Sequence, residues 1–257
     1  MSDYALMSMA PARPGNFPQA TPDTPGIPQR VRDEVLIAPF NDTETAVSLI
    51  REHKDELAGV IVEPFQRLIK PEPGFLEALR VVTQEVGIAL IFDEVVTCFR
   101  LAYGGAQEYY GVVPDLCAMG KIIGGGFPVG AVAGSEIIMA VFDHRQGEKV
   151  HHGGTYNGNP VTMAAGYETM QLMTPDQYDG LSSLGESLRE QTSDMLHKHG
   201  VPHQVNGRGS MFCVLLTEGQ PVDFRDLLEI RTSGPDLTGL DREMLGRGVL
   251  LGSRGLF

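Results

Sequence analysis

The sequence predicts an α/β fold in which a mostly parallel sheet lies between helices. Two apolar runs of strand length, Ala58–Val62 and Ile88–Phe92, flank Pro73–Gly87, a segment with helical periodicity. Strand, helix and strand at this spacing form a βαβ unit, whose crossover makes the strands parallel and covers both faces of the sheet. We therefore expect a large α/β domain over residues 31–170.

Two further regions flank this domain. Residues 1–30 carry six prolines, a density that prevents regular helix and central strand, so we expect an irregular arm there. Residues 171–257 alternate helical and strand-like patterns and predict part of a smaller α+β domain. We expect the remaining strands at Val35–Phe40, Leu116–Met119, Ala131–Ala133, Val205–Leu216 and Gly248–Leu251. We expect the remaining helices at Thr45–Leu57, Thr162–Met173, Leu181–His199 and Asp223–Ile230.

Composition excludes several classes of partner. The net charge of −13 argues against nucleic acid and anionic membranes, because both bind clustered Lys and Arg. The N-terminus lacks the basic stretch and apolar core of a signal peptide, and no apolar run reaches membrane-spanning length. The three cysteines are far apart in sequence and show no CxxC pairing. We therefore expect a protein of the reducing cytoplasm.

A lysine and a carboxylate each follow a strand-like run. Asp93 comes directly after Ile88–Phe92, and Lys121 follows Leu116–Met119 shortly before three successive glycines. Pyridoxal phosphate (PLP) chemistry needs these two groups, because the amine forms a Schiff base with the cofactor and the carboxylate keeps the pyridine nitrogen protonated. The alternatives are a capping carboxylate for Asp93 and an ordinary surface lysine for Lys121.

The surroundings of Lys121 favour the first interpretation. No other charged residue lies between Asp115 and Glu136, so we expect burial to favour the free amine that imine formation requires. The adjacent glycines let the backbone approach a planar ligand closely, although a tight turn would use them too. A P-loop is excluded, because Ile122 rather than Ser or Thr follows the lysine.

Two more residues lie where a ligand site is expected. Glu63 follows the run Ala58–Val62, and ligands of parallel sheets bind at the carboxyl ends of the strands. Val95 lies two residues beyond Asp93, so on an extended backbone it points the same way and can pack on a cofactor ring. Simple core packing is the alternative for Val95.

The segment His151–Pro160 is rich in turn-forming residues and precedes a predicted helix. A plain loop is one interpretation. The other is a phosphate site made by the Thr155 hydroxyl and backbone amides at the helix start. His151 and His152 are not expected to bind a metal, because adjacent side chains face opposite ways on an extended backbone.

Taken together, several motifs resemble the class III family of PLP-dependent aminotransferases, most closely its glutamate-1-semialdehyde 2,1-aminomutase branch. The resemblance runs from about Gly26 to the last residue and is strongest between Val60 and Gly166. It implies a fold-type I PLP-dependent transferase, and a homodimer with active sites at the subunit interface. The motifs are Glu63-Pro64, Pro71–Arg80, Ile91–Arg100, Gly104–Gly111, Pro114–Leu116, Gly120–Gly130 and Gly154–Ala165.

The same resemblance implies a role for each candidate. Lys121 matches the Schiff-base lysine, Asp93 the partner of the pyridinium nitrogen, and Val95 the residue that packs on the ring. Thr155 matches a phosphate ligand donated to the neighbouring subunit, and Glu63 a carboxylate near the cofactor. The implied substrates are small amines and carbonyl compounds.

The chain also departs from the family pattern. Members carry a phosphate-cup motif and a stacking aromatic residue before the point that matches Met1, and they continue beyond the point that matches Phe257. We therefore expect a chain shortened at both ends relative to the family. The Asn that normally follows shortly after the equivalent of Glu63 is absent, and Cys98 stands where glycine is usual. The last two departures bear on the aminomutase assignment more than on the cofactor.

Three functions follow from these observations. We expect PLP-dependent transamination between an amine or amino acid and a carbonyl acceptor. The first alternative is the intramolecular amino transfer of an aminomutase. The second is a shortened, catalytically impaired relative that acts as a binding partner, and the absence of a recognisable phosphate cup favours it.

Overall fold

A four-stranded mixed sheet forms the centre of the fold. The computed structural model describes residues 3–7, 17–143, 145, 147, 150–234 and 238–251. The sheet has the order β1 (Gly59–Val62), β2 (Ala89–Asp93), β3 (Leu116–Gly120) and β4 (Gly130–Gly134). β1, β2 and β3 are parallel to one another, and β4 is antiparallel to β3. The predicted mostly parallel sheet is therefore confirmed.

Helices and a hairpin surround this sheet. The helices are α1 (Gln29–Asp33), α2 (Thr43–Glu52), α3 (Phe75–Val86), α4 (Gly105–Tyr110), α5 (Glu136–Met139), α6 (Pro160–Leu172), α7 (Pro175–Lys198), α8 (Phe224–Ser233) and α9 (Thr238–Gly246). Short 3-10 helices span Asp3–Leu6, Lys121–Gly124 and Ala140–Phe142. The hairpin pairs β5 (Gln204–Arg208) with β6 (Met211–Leu215). Within the described ranges, none of the helices is long and apolar enough to cross a membrane.

α3 is the crossover helix of the βαβ unit, and its sequence explains both its burial and its end. Leu76, Leu79 and Val82 recur at helical spacing and are buried in the core. Gly87 ends the helix with a φ of 78°, a left-handed conformation that glycine adopts without steric cost. The chain then enters β2 directly, so α3 returns the backbone to the same end of the sheet from which β1 started.

One apolar core includes side chains from both halves of the chain. Phe92, Leu90 and Leu76 from the βαβ unit belong to the same buried cluster as Cys213 of β6 and Leu227 of α8. The C-terminal hairpin and α8 are therefore held against the large domain by apolar burial, which is the main stabilising contribution in folding. The boundary near residue 170 stays a prediction.

Three strand predictions differ from the structure. Val35–Phe40 forms no strand, since only Leu36 makes an isolated bridge, to Gln19; Pro39 cannot donate a backbone hydrogen bond to a ladder. Val205–Leu216 is not one strand but the β5–β6 hairpin, which turns at Gly209 with a φ of 57°. Gly248–Leu251 follows α9 without pairing in the described residues.

The proline-rich arm is described only in part. Residues 8–16 lie outside the described residues, so the irregular arm stays a prediction for that segment. The described portion has an isolated bridge between Met7 and Pro22. Met7 and Ala20 pack with Val31 of α1 in a small second apolar cluster. The described part of the arm is thus anchored by a few apolar contacts of its own.

Candidate active site

The carboxyl ends of three parallel strands bring Glu63, Asp93 and Lys121 to one edge of the sheet. Glu63 follows β1 directly, Asp93 is the last residue of β2, and Lys121 follows β3. The register pairs Val62 with Phe92 and Asp93 with Ala118. β1 and β2 therefore end within one residue of each other, and β3 runs two residues beyond Ala118 at the same edge, which is where parallel sheets bind ligands.

The electrostatics of Glu63 show that this edge is a cluster of charges. Burial raises the pKa of the Glu63 carboxyl, and the Asp93 carboxylate raises it further. The Arg67 and Lys121 cations oppose this rise, as does a hydrogen bond from the Arg67 backbone N–H, but the net direction is upward. Nε of Arg67 lies 4.0 Å from Oε1 of Glu63. Two acids and two bases therefore share the site.

Lys121 begins the loop that connects β3 to β4. Its φ is 51°, so a non-glycine residue occupies the left-handed region, which costs roughly 1–2 kcal/mol. Such strain is concentrated at functional sites because packing elsewhere must maintain it. The Lys121 residue is exposed, so the burial expected from its apolar sequence neighbours is not found in this chain.

α6 holds the lysine loop in place through a close backbone approach. A Cβ atom at Gly166 would lie 2.2 Å from the carbonyl oxygen of Ile123, a distance that side-chain atoms do not tolerate. The Thr162 hydroxyl of the same helix donates a hydrogen bond to the Pro128 carbonyl oxygen at 3.5 Å. α6 therefore contacts the lysine loop on both sides of the three glycines.

Val95 lies beside the point at which β3 gives way to Lys121. A Cβ atom at Gly120 would be 3.4 Å from Cγ1 of Val95, so the valine side chain contacts the end of β3. The Val95 backbone N–H donates a hydrogen bond to Oδ1 of Asp93 at 3.1 Å. The valine therefore lies between the carboxylate and the lysine loop, and its ring-packing role stays a prediction.

Glu94 is a carboxylate whose role sequence reasoning missed. It is completely buried, and its Oε2 accepts hydrogen bonds from the Ala106 backbone N–H and, at 3.0 Å, from the Thr97 hydroxyl. Its Oε1 accepts two bonds from Gln107. Glu94 therefore caps the segment that follows β2, while Asp93 accepts only the Val95 backbone N–H among the described hydrogen bonds. The alternation of side chains along a strand is the signal that separates the two acids.

Thr155 is the candidate that the structure does not bring to this cluster. It is exposed in the loop that precedes α6, and none of the described contacts joins it to Glu63, Asp93 or Lys121. His151 and His152 are exposed in the same loop, and no metal-binding cluster of His, Cys, Asp or Glu occurs among the described residues. The predicted phosphate role of Thr155 stays a prediction.

Comparison with known proteins places the chain in a family. The family model described as aminotransferase class-III matches residues 5–253. Glutamate-1-semialdehyde 2,1-aminomutase 1 of Staphylococcus epidermidis is 41% identical over 234 residues, which are 90% of this chain and 54% of that protein. An omega-transaminase from Sphaerobacter thermophilus is 43% identical with a TM-score of 0.88, covering 100% of this chain and 60% of that one. A structure described as a transaminase with PLP bound is 32% identical with a TM-score of 0.86, covering 100% and 58%.

The chain therefore belongs to the class III aminotransferase family, and its fold is that of the PLP-dependent transferases. The predicted resemblance and fold class are confirmed. The chain spans about half the length of the curated relatives that it matches.

Proposed function

We propose that the protein catalyses PLP-dependent transfer of an amino group between an amine or amino acid and a carbonyl acceptor. The observation that carries the proposal is the meeting of Asp93 and Lys121 at the ends of adjacent parallel strands, with Val95 between them. An amine, a carboxylate and an apolar side chain are the donor set that a pyridinium aldehyde requires. Membership of the family supports the same cofactor.

Each residue has a distinct task in this proposal. When bound, PLP supplies an aldehyde that takes up an amino group and a ring that withdraws electrons from the neighbouring carbon. Nζ of Lys121 would hold the cofactor, and as a free amine it moves the proton on the substrate carbon. Asp93 would keep the ring nitrogen protonated, and Val95 would pack on the ring face. Glu63 would adjust the charge beside them.

We extend the proposal to a homodimer in which Thr155 binds the cofactor phosphate of the neighbouring subunit. Thr155 is exposed in the loop before α6 and has no described contact with Glu63, Asp93 or Lys121 of the same chain. This position suits a residue that contributes to the active site of the neighbouring subunit. The α6 side chains of Val161, Met163 and Tyr167 are also exposed, at 56%, 45% and 63%. An apolar face of this kind favours association.

We also propose that the protein works in the reducing cytoplasm. Cys98, Cys117 and Cys213 are all free and buried, so none of the three forms a disulfide. Burial raises the pKa of the Cys213 thiol to about 11, which keeps it protonated and unreactive at neutral pH. These features fit a cytoplasmic enzyme.

The test is covalent capture of the cofactor. The full chain is incubated with PLP, its visible absorbance is recorded, and borohydride reduction is followed by peptide mass spectrometry. We expect a yellow chain that loses its colour on reduction, with the cofactor then fixed to Lys121, and a colourless Lys121→Ala variant that carries no fixed cofactor. Lys54→Ala is the matched control. A folded chain that stays colourless would contradict the enzyme and favour the shortened binding partner.

The aminomutase is the second candidate, because the curated relatives at about 41% identity carry that name. The two functions differ in whether a second carbonyl compound is needed. Incubation with glutamate-1-semialdehyde alone should leave the amino group on carbon 2 if the protein is a transaminase. A product with the group moved to carbon 1 would favour the aminomutase.

A further inference from the structure

β4 is an edge strand of the central sheet, and its outer side is unpaired in the part of the chain that the structure describes. The sheet order ends with β4, which pairs with β3 alone. Outside that ladder, none of the described backbone hydrogen bonds uses the N–H or C=O groups of Gly130, Val132 or Gly134. An unpaired edge of this kind is a template on which another strand can form hydrogen bonds.

The hydrogen bond directly beyond β4 shows which backbone groups point outward. The Ser135 N–H donates to the Asp115 carbonyl oxygen at 3.0 Å, and the register places these two residues opposite each other. Hydrogen-bonded and non-hydrogen-bonded pairs alternate along an antiparallel ladder, so residues 133 and 131 also bond to β3. The residues between them therefore direct their N–H and C=O groups to the open edge; they are Gly130, Val132 and Gly134.

β4 lacks the features that normally prevent an edge strand from pairing. Its sequence is Gly-Ala-Val-Ala-Gly, without a charged residue or a proline, and its one-to-one register with β3 leaves no bulge. Every residue except Ala131 is exposed, and Val132 is 48% exposed. β1, the strand at the other edge, differs because three of its four residues are half-buried. The β4 edge is therefore the more accessible of the two.

The β4 sequence is complementary to itself. Gly130–Gly134 reads the same in both directions, with Val132 at its centre. If a second copy of β4 pairs antiparallel about this centre, Val132 lies opposite Val132, and Gly130 lies opposite Gly134. Each outward-facing residue then meets another outward-facing residue, so their N–H and C=O groups are matched in pairs. A two-fold axis through Val132 generates this isologous contact.

The flanking segments extend the same symmetry. Phe127 and Ile137 lie equally far from Val132 in sequence and are 47% and 88% exposed. The two-fold axis brings Phe127 of one copy to the end of the contact at which Ile137 of the other copy lies, which adds apolar burial. The Thr162 hydroxyl bonds to the Pro128 carbonyl oxygen, so the exposed apolar face of α6 adjoins this edge. One continuous surface therefore surrounds the strand.

We propose that β4 pairs antiparallel with β4 of a second copy of this chain and joins the two four-stranded sheets into one. The proposal goes beyond transamination, because it assigns an interaction surface whose formation requires neither cofactor nor substrate. It also identifies the strand that brings two subunits together. The matched backbone groups give the contact its hydrogen bonds, and the exposed valines and flanking apolar residues give it buried area.

A proline at the centre of β4 tests this pairing. Sedimentation velocity of the full chain without PLP should give a mass near twice 27.9 kDa. The Val132 N–H points away from β3, so Val132→Pro keeps the ladder to β3 but removes a donor at the open edge. We expect its dimer dissociation constant to rise about 100-fold or more. Val132→Thr keeps the N–H and is the matched control, which should remain dimeric.

Two results would overturn the proposal in this experiment. The first is a wild-type chain that sediments as a monomer at every concentration, which would leave the edge to a strand of a different polypeptide. The second is an unchanged dimer in Val132→Pro. Far-UV circular dichroism verifies that each variant is folded.

Cross-linking provides a second test that does not depend on how proline is tolerated. The three native cysteines are buried, so Val132→Cys introduces an accessible thiol beside the proposed axis. A short bismaleimide should join two copies of this variant. Ile61→Cys is the matched control, since Ile61 is 65% exposed on the opposite edge strand, and it should stay uncoupled. Coupling through Cys at position 61 but not at position 132 would contradict the proposal.

A variant of α6 separates the β4 contact from the homodimer as a whole. Tyr167 is exposed on the α6 face, and Tyr167→Asp places a charge there without changing β4. If Tyr167→Asp is monomeric while Val132→Pro stays dimeric, the homodimer stands and β4 pairing fails. If the wild-type chain is monomeric, both fail, and capture of PLP on Lys121 still tests transamination independently.

Discussion

The segments that follow β1 and β2 both begin with a carboxylate at the active edge, yet they are stabilised in opposite ways. After β2, the buried Glu94 ties the chain to α4 through hydrogen bonds from Thr97, Ala106 and Gln107. After β1, a tight turn holds Arg67 and Leu68 in the left-handed region, with φ values of 52° and 68° that residues other than glycine disfavour. In the first segment, the tertiary hydrogen bonds agree with the local preferences of the residues. In the second segment, the backbone conformation opposes those preferences.

The contrast indicates that the two segments contribute differently to the stability of this edge. A segment whose polar groups are satisfied can support a neighbouring catalytic residue, as Glu94 supports the segment after Asp93. A segment in which local preference and geometry conflict is retained only where function or packing compensates. Substitutions in the two segments should therefore have effects that differ in size and in sign.

The largest effect is expected at Glu94. Glu94→Ala would leave buried backbone and hydroxyl donors without an acceptor, and each such group costs about 1–3 kcal/mol. We expect the free energy of unfolding to fall by roughly 3 kcal/mol or more in urea denaturation. The exposed Glu52→Ala is the control and should change it by about 0.5 kcal/mol at most. Equal values for the two variants would contradict the supporting role of Glu94.

Leu68→Gly is expected to give the next effect. The substitution relieves one strained residue but removes a buried leucine side chain. The lost burial outweighs the relieved strain, since truncating a buried leucine typically costs about 2–5 kcal/mol. We expect a net loss of roughly 2 kcal/mol in the same denaturation measurement. A gain in stability would show that packing does not hold this turn.

Arg67→Gly, in the same turn, should act in the opposite direction. Glycine adopts the left-handed conformation freely, and the partly exposed arginine contributes less packing than Leu68. We expect the free energy of unfolding to rise by about 1 kcal/mol. Destabilisation comparable to that of Leu68→Gly would remove the contrast between the two positions.

The smallest effect concerns pH and Glu63. Because burial raises the pKa of this carboxyl in the folded chain, the native state binds its proton more tightly than the unfolded state. Its contribution to stability is fully present below the unfolded pKa and is lost as the pH rises through the folded value. Glu63→Gln should therefore flatten the decline of melting temperature above about pH 4.5. Parallel pH profiles for the two proteins would contradict this.

The sequence was sufficient to predict the order of the strands and the helix in the βαβ unit of the central sheet. Ile88–Phe92 and Pro73–Gly87 predicted β2 and α3 almost to the residue, because apolar periodicity and a terminal glycine act locally. The prediction failed at Val205–Leu216, where one strand was assigned across the polar, glycine-rich stretch Asn206–Ser210 that contains the turn at Gly209. They also missed α4, whose short span carries little periodicity.

Local patterns were enough to predict that Asp93 and Lys121 share one edge of the sheet, since residues that follow neighbouring parallel strands lie at the same edge; their roles in the site stay predictions. The folded chain was needed to show that Glu94 ties the segment after β2 to α4, and that Arg67 reaches Glu63 from a strained turn packed on Phe224. Strand ends are placed by nearby residues, whereas hydrogen-bond partners and guanidinium contacts come from residues distant in sequence, which local patterns do not encode.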